Sequence, residues 1–431
     1  MFLKRRLDIS EETPLPVALA LFFYVGHLFC AGWVASSEVF AFATTAMVAW
    51  CLWRGLLKPS FHILYVPLAL YGLASTVSAL VAEREIHSFG ESALWGKLLL
   101  FPAALILLRN VPRARETALR MVLIFGAMAS SMGLAQYVTA GGFRDLEHRI
   151  TGAAAHVMTL SGLLLPVALT FIVLWIYETG NVWLLAGGVA TNLALLITFT
   201  RSAWLGWIVG IAVLLILKWP KALAWAVPVA IIAISFAPLP VFSRVISSFD
   251  TRQSSNLDRI RMAEAGIEII KDYPVFGVGP ANVKEIYPLY RKHDAPRFRI
   301  PHLHNNVIQL LAERGVLALL AYLFLQGLFL RECARAWGGP ATKYAEIGVV
   351  VVASLGAAGM FEFNFGDTEV FWIMLDLFAI VIAFAEGVGG GASGVGAETG
   401  DGTRRSPTPN SLLPTPRPNE PEASLVPADG P

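Results

Sequence analysis

Charged residues are scarce in this chain of 431 residues: Asp, Glu, Lys and Arg make up 15% of it, and hydrophobic residues make up 56%. A soluble domain is typically about 25% charged and about 45–50% apolar. This composition, with a mean hydropathy of +0.61, excludes a disordered regulator, a disulfide scaffold and a nucleic-acid-binding domain, which would be strongly basic. The net charge of +2 by itself carries no information about partners. The composition therefore predicts an all-α polytopic membrane protein.

Cysteine is scarce as well. The three cysteines fall in apolar stretches or at their predicted cytoplasmic ends: Cys30, Cys51 and Cys333. None lies in the long charged segment 241–305, which excludes a disulfide across that segment. Metal-binding patterns are lacking, because no His-x-x-x-His, Glu-x-x-x-His or clustered Asp set accompanies His302 and His304. Since a Walker lysine loop is lacking too, we expect no metal, no cofactor and no ATP hydrolysis.

Stretches without Asp, Glu, Lys or Arg define the predicted membrane spans. Six such gaps are long enough to cross a hydrocarbon core of roughly 30 Å: 12–38, 58–83, 120–144, 149–178, 178–201 and 221–244. Six further apolar segments are shorter or carry one charge near an end: 39–56, 94–110, 202–219, 306–330, 343–363 and 368–386. We therefore predict about twelve transmembrane helices, with Lys97 snorkelling or facing protein.

The Lys and Arg residues predict the orientation of the spans. They are concentrated at the N-terminus and in alternate short connections, so both termini are expected in the cytoplasm. The first apolar run is of span length and no small-x-small site follows it, so we expect no cleaved signal peptide. The predicted organisation begins with a cytoplasmic N-terminus (1–14) and transmembrane helices 1–9 (15–240). A large periplasmic loop (241–305), transmembrane helices 10–12 (306–387) and a disordered Gly/Pro-rich cytoplasmic tail (388–431) follow.

The segment 241–305 is too highly charged to span a membrane, with ten Lys or Arg and seven Asp or Glu, and it is too long for a passive connector. Within it, residues 256–272 carry apolar side chains at helical spacing: Ile260, Ala263, Ile267 and Ile270. Charged residues fall on the other faces, so the pattern predicts an amphipathic helix that lies on the membrane surface or caps the bundle. The following Gly277 and Gly279 indicate a turn.

Arginines at the predicted outer face are candidates for anion binding. Arg201 lies between two apolar segments in ITFTRSAWLGW, where an arginine costs about 2.5–3.5 kcal/mol on insertion scales, and less near the interface. An outer-leaflet pyrophosphate would offset this cost; the alternative is an interfacial arginine beside Trp204 and Trp207. Arg259 and Arg261 begin the amphipathic helix, where the alternative is a solvated face paired with acidic neighbours.

Two histidines precede the next predicted span. His302 and His304 stand before Asn305 in RIPHLHNNVIQLLAERG, where an imidazole with an ordinary pKa near 6.5 suits general-base work. The alternative is a helix cap or a surface ring. Glu313 and Arg314 lie inside the following apolar run, so we expect them to pair with protein groups and to support the bundle.

These residues carry a resemblance to a known family. TFTRSAW, Arg259 fifteen residues before PVFGVGPANV, and HLHNNVIQLLAERGVLAL resemble the O-antigen ligase/polymerase superfamily of polytopic membrane glycosyltransferases. The stretch RITGAAAHVMTLSGLLLPVAL, which begins at Arg149, is similar to that family too. His304, directly before asparagine, matches the family histidine, whereas Ala263 stands where an aromatic residue commonly follows the loop arginine.

The resemblance implies an O-antigen ligase of the Gram-negative inner membrane, with its active site facing the periplasm. It would move O-antigen polysaccharide from undecaprenyl pyrophosphate to lipid A–core and complete lipopolysaccharide, by a metal-independent transfer that inverts the anomeric centre. Its partners would be these two lipid-linked substrates and membrane lipids, and no nucleic acid. The implied catalytic residues are His304, Arg201 and Arg259; the implied donor-binding residues are Arg201, Arg259, Arg261 and Arg149; His302 and Asn305 are further candidates.

Three other functions remain open at this point. An O-antigen polymerase would use the same donor but a second polyprenyl-linked glycan as acceptor. A protein O-oligosaccharyltransferase usually carries a further outer domain, for which we expect no room in this chain. A polyprenyl-glycan flippase would line its spans with charges along a transmembrane path. The charge in this sequence is concentrated at one face, which favours an enzyme over a transporter.

Overall fold

Helices form the regular structure of the described chain. The computed structural model describes residues 10–82, 94–142, 149–225, 239–250 and 252–389, with Lys4, Leu7, Pro228 and Ser235. Over these residues it has fifteen α-helices and no strand: α1 Leu15–Phe29, α2 Val34–Trp53, α3 Tyr65–Val81, α4 Leu94–Leu98, α5 Leu100–Asn110, α6 Ala114–Thr139, α7 Val157–Tyr177, α8 Val182–Ile197, α9 Arg201–Lys218, α10 Leu239–Ile246, α11 Ser254–Asp272, α12 Val283–Tyr290, α13 Asn306–Arg335, α14 Thr342–Ala358 and α15 Thr368–Gly389. The prediction of an all-α protein is confirmed.

Several of these helices have the composition of membrane spans. Six are at least 18 residues long and apolar enough to cross a membrane: α2, α6, α7, α9, α13 and α15. Three more are apolar but shorter: α1, α3 and α8. The predicted span 221–244 and the predicted tail 388–431 lie largely outside the described residues. The count of about twelve spans, the domain boundaries and the orientation therefore stay predictions.

Two expectations about charged residues in apolar runs are confirmed. The Lys97 ammonium group donates to Thr368 Oγ1 at 2.8 Å, and the indole of Trp372 donates to the Lys97 carbonyl at 3.1 Å, so this lysine faces protein. The Arg314 guanidinium pairs with Glu313 Oε2 at 2.9 Å. Each charge thus meets a polar partner on its own or a neighbouring helix, as the high cost of a lone charge near hydrocarbon requires.

Helices α7 and α15 form the centre of the bundle. In their most apolar stretches 72% and 83% of residues are buried, against 28% in α2 and in α9. Close approach between helices depends on small residues: an added Cβ at Gly206 of α9 would lie 2.6 Å from the carbonyl oxygen of Ser354 in α14. Such close packing holds helices together in lipid, where the hydrophobic effect does not drive their association.

The segment 241–305 contains α10, α11 and α12 and builds a small apolar core with the start of α13: Met262, Ala265, Ile269, Val278, Val283, Tyr287, Ile300, Leu303 and Ala312. The predicted amphipathic helix is present as α11. The face that carries Ile260 and Ile267 is exposed, whereas the face with Gly266 is buried. Gly266 explains the difference, because an added Cβ there would lie 2.4 Å from Ile308 of α13.

A kink in α13 joins this segment to the bundle. Gly315 has a φ of 72° and a ψ of −174°, and an added Cβ there would lie 1.9 Å from a backbone oxygen of the segment. The amides of Val278 and Gly279 donate to the carbonyls of Ala312 and Glu313, each at 2.9 Å. The predicted turn therefore pairs with two backbone carbonyls of α13 beside the kink, and the carbonyl of Glu313 also accepts from Ser78 Oγ at 2.8 Å.

Candidate functional site

Two cavities open at the end of the bundle that carries the segment 241–305. The smaller has a volume of about 350 Å³ and the larger of about 720 Å³. They share three lining residues, Met158, Arg297 and His304. His304 therefore lies where the two cavities meet.

Arginines dominate the smaller cavity, and no carboxylate is among its described lining residues. The five arginines are Arg149, Arg201, Arg244, Arg259 and Arg297. They come from the stretch before α7, the first residue of α9, α10, α11 and the stretch after α12. The structure thus brings three predicted arginines, Arg149, Arg201 and Arg259, together with His304. Arg244 and Arg297 complete the group, although the sequence patterns did not single them out.

Neutral oxygen atoms hold two of these arginines in place. Arg201 donates to Gln253 Oε1 at 3.0 Å and to Ser255 Oγ at 2.8 Å. Arg149 donates to the Thr198 carbonyl and to Thr200 Oγ1, each at 2.9 Å. These partners fix the guanidinium planes but carry no formal charge. The positive charge of both arginines therefore remains available to an anion.

Burial and mutual repulsion act together on the arginines of this group. Arg259 Nη2 lies 4.0 Å from Glu362 Oε2. Burial lowers the pKa of Arg259; attraction to Glu362 opposes this effect, and repulsion from Arg297 and Arg244 adds to it. Burial, followed by repulsion from Arg244 and Arg259, likewise lowers the pKa of Arg149. Since arginine stays protonated in proteins, these shifts mean that burial first, and the like charges of neighbouring arginines second, make the charged guanidinium less favourable, a cost that a bound anion would reduce.

His304 and Glu362 form a hydrogen-bonded pair. His304 Nδ1 lies 3.0 Å from each carboxylate oxygen of Glu362. Burial acts to raise the pKa of Glu362, but the hydrogen bond from His304 and the charges of His304 and Arg259 outweigh it, so the pKa lies below its usual value. With the Nδ1 proton donated to this carboxylate, the lone pair is on Nε2, which is the arrangement of a general base oriented by an acid.

Backbone strain is concentrated around the two cavities. Among the described residues, three non-glycine residues have a positive φ: Phe199 at 50°, Ala281 at 60° and His304 at 51°. Phe199 lines the smaller cavity, Ala281 lines the larger one and His304 lines both. Such conformations cost of order 1–3 kcal/mol each and persist where the surrounding structure imposes them, often at functional sites.

His302, His304 and Glu362 also form a group that can hold a metal ion. Their ligand atoms all lie within 4.8 Å of one another. Burial, followed by the charge of His304, lowers the pKa of His302 to about 4, so this ring is neutral at pH 7. A cation at this position would face Arg259 and Arg297, whose repulsion disfavours it. The geometry favours the hydrogen-bonded base over a metal centre, and the expectation of no metal stays a prediction.

The remaining predicted residues lie outside both cavity linings. Arg261 pairs with Glu264 at 2.7 Å and with Asp294 at 2.6 Å. Asn305 caps α13, accepting from the amide of Ile308 at 2.9 Å. Its side chain also donates to the Met360 carbonyl at 2.9 Å, and this bond fixes the stretch that bears His304 to the connection that bears Glu362. Asn305 thus positions the pair, whereas Arg261 supports the segment 241–305.

Glu362 was not predicted from the sequence. It lies 58 residues after His304, in the connection between α14 and α15, so no local spacing links the two side chains. The available signal was Glu362 itself, in FEFNFGD at the end of an apolar run. A charged carboxylate so close to a membrane span is energetically costly and indicates a polar or cationic partner, but the sequence does not identify which residue that is.

Over the described residues these features define a class: a helical protein with helices apolar enough to cross a membrane, and an arginine-lined cavity beside a histidine–carboxylate pair. Residues 182–323 match the family model Wzy_C, described as O-antigen ligase. The match confirms the resemblance recognised in the sequence, and it covers about a third of the chain. It covers Arg201, Arg259 and His304, but not Arg149 or Glu362. A comparison with curated proteins gave no match.

Proposed function

We propose that this protein is an O-antigen ligase that transfers O-antigen polysaccharide from undecaprenyl pyrophosphate to a sugar hydroxyl of lipid A–core. The reaction would take place at the periplasmic face of the Gram-negative inner membrane. The observation that carries the proposal is the smaller cavity, with five arginines and no carboxylate in its described lining, directly beside His304. A pyrophosphate is the anion of a lipid-linked glycan, and it is also the leaving group.

The arginines would bind the donor and stabilise its departure. Guanidinium groups bind phosphate oxygens through two parallel hydrogen bonds, and such charge-assisted bonds are about twice as strong as neutral ones. Arg201 and Arg259 lie on different helices, so they can contact the pyrophosphate from separate directions. As the glycosidic bond breaks, negative charge grows on the leaving oxygen, and cations already in place stabilise the transition state.

His304 would act as the base. Its Nε2 takes the proton of the acceptor hydroxyl while that oxygen attacks the anomeric carbon. The bond from this carbon to the phosphate oxygen breaks, and its electron pair leaves with undecaprenyl pyrophosphate. Glu362 stabilises the imidazolium that forms, because it already accepts a hydrogen bond from Nδ1. Attack from the side opposite the leaving group inverts the anomeric centre.

Metal independence follows if the arginines supply all the positive charge. Purified protein in nanodiscs is then expected to transfer glycan in the presence of EDTA at the rate measured without it. Loss of transfer with EDTA, restored by magnesium or manganese, would falsify this part of the proposal. The metal would then belong to the group of His302, His304 and Glu362.

The lipopolysaccharide of a deletion strain distinguishes ligase from polymerase. Both enzymes would bind the same pyrophosphate-linked donor, so the smaller cavity does not separate them. If the protein is a ligase, undecaprenyl-linked polymer accumulates and the lipid A–core stays unmodified. Single repeat units attached to core would instead assign the protein as a polymerase.

A further inference from the structure

The two cavities that meet at His304 differ in charge. The smaller cavity has five arginines and no carboxylate in its described lining. The larger cavity has three cations, Lys284, Arg297 and Arg314, and three carboxylates, Glu313, Glu362 and Asp367. A multiply charged anion is therefore attracted to the smaller cavity, whereas the larger one offers no net charge to it.

An aromatic ring is exposed to the larger cavity. Phe363 is only partly buried and lines this cavity, and its ring centroid lies 5.9 Å from that of His302. Gly366 packs against the same ring, since an added Cβ at that glycine would lie 2.0 Å from a ring carbon of Phe363. The ring is held between a histidine and the backbone, so it forms a fixed apolar platform.

Polar side chains surround this platform. His156 caps α7 by accepting from the amide of Met158 through Nδ1, at 3.2 Å, which turns its other ring nitrogen into a donor. Asp367 accepts from Thr159 Oγ1 at 2.6 Å. One aromatic face among donors and acceptors with balanced charge is suited to an uncharged polyhydroxyl ring, which stacks its apolar face and hydrogen-bonds at its edges.

We infer that the larger cavity is the subsite for the terminal sugars of the acceptor, with Phe363 as the platform on which an acceptor sugar stacks. The inference rests on the proposed function, which requires a hydroxyl at His304. Donor and acceptor then reach His304 from two different cavities. This separation keeps the acceptor away from the arginines and leaves the pyrophosphate in the smaller cavity.

Binding measurements without turnover test the inference. Dissociation constants for undecaprenyl pyrophosphate and for lipid A–core are measured separately on the full chain in nanodiscs. Loss of the aromatic face in Phe363→Leu is expected to weaken lipid A–core binding by about three- to tenfold, from the usual strength of aromatic contacts. Binding of undecaprenyl pyrophosphate is expected to change by less than about twofold, and Phe363→Trp is expected to restore lipid A–core binding.

Two matched variants sharpen the comparison. His156→Asn keeps an oxygen that can cap α7 but removes the ring, so it is expected to weaken lipid A–core binding only. Gln253→Ala removes an Arg201 partner in the smaller cavity, so it is expected to weaken undecaprenyl pyrophosphate binding only. The inference is overturned if Phe363→Leu weakens undecaprenyl pyrophosphate binding or leaves both affinities unchanged.

Failure of the proposed function gives a different experimental result from failure of the two-cavity inference. If the variants weaken the two affinities separately as expected, but a wild type that binds both lipids transfers no glycan between them, the proposed reaction is overturned and the two-cavity inference is supported. A wild-type protein that does not bind lipid A–core at all overturns both.

Discussion

The two ends of the helical bundle use cationic residues in different ways. At the end formed by the α2–α3, α5–α6, α7–α8 and α13–α14 connections, cations pair with carboxylates: Arg109 with Glu386, Lys218 with Glu346 at 2.8 Å, and Lys343 with Glu178 at 3.2 Å. At the site end, Arg149 and Arg201 bond to neutral oxygens. The described lining of the smaller cavity has no carboxylate.

The difference separates structural charges from functional ones. Paired and partly exposed charges contribute about 0–1 kcal/mol each to stability and need no further partner. Crowded arginines with neutral partners repel one another, and this unfavourable arrangement is useful only if an anion binds between them. The site end also has paired charges, such as Arg261 with Glu264 and Arg297 with Asp258, so the charges we assign to binding are those of Arg149 and Arg201. Variants of matching residues at the two ends can break this comparison.

The largest effect is expected at His304. His304→Ala removes the proposed base and is expected to lower glycan transfer at neutral pH by about 10²–10⁴-fold. His302→Ala is expected to lower glycan transfer much less, because His302 lines only the larger cavity and does not share the Nδ1 hydrogen bonds of His304 to Glu362. Transfer rates of both purified variants check this. An inactive His302→Ala beside an active His304→Ala would move the base to position 302.

Arginine-to-lysine changes at the two ends give the next largest effect. Arg201→Lys and Arg259→Lys keep the charge but lose the paired hydrogen bonds to phosphate, so each is expected to lower transfer by about 10–100-fold. Arg109→Lys at the opposite end is the matched control and is expected to stay within about twofold. Near-native transfer by Arg201→Lys would instead assign Arg201 as an interfacial anchor beside Trp204.

The pH dependence of stability should depend on His302. Its folded-state pKa of about 4 lies below the ordinary value, so protonation favours the unfolded state. The stabilising contribution of the neutral ring is complete above about pH 6.5 and is lost as the pH falls toward 4. The melting temperature of His302→Gln should therefore fall less than that of the wild type between pH 7 and 5.

The exposed His293 provides the control for this measurement. His293→Gln is expected to show the wild-type dependence of melting temperature on pH. If the melting temperature of His302→Gln falls as steeply with pH as that of the wild type, other groups determine the acid sensitivity.

The smallest effect is expected at Arg261. Because it pairs with Glu264 and Asp294 and lines neither cavity, Arg261→Ala is expected to change transfer by less than about twofold. Steady-state rates of Arg261→Ala and Arg259→Ala, measured side by side, check this. A comparable loss in both variants would return Arg261 to the donor-binding residues.

The sequence predicted the parts of the site that depend on local order. Charge scarcity predicted the apolar helices, and short motifs singled out Arg201 and His304, each at the boundary of an apolar run, and Arg259 near the start of the amphipathic helix. It could not resolve Arg259 from Arg261, since residues two apart on a helix point about 200° from each other and only the packed helix shows which one faces the cavity.

Contacts between distant segments could not be predicted in the same way. Glu362 reaches His304 across 58 residues, through the packing of a whole connection against the start of α13. The face of α11 that packs against the protein was not predicted from the sequence, because isoleucines occur on both faces and the close approach at Gly266 decides which face packs. Both features depend on tertiary packing, which hydropathy patterns do not encode.

Binding of undecaprenyl pyrophosphate in the presence of EDTA tests the central claim most directly. The claim is that the crowded arginines of the site end bind a pyrophosphate without a metal. Wild type and Arg109→Lys are expected to bind with equal affinity, and the double variant Arg201→Lys with Arg259→Lys is expected to lose at least about tenfold. Binding that requires magnesium, or that is unchanged in the double variant, would contradict the account.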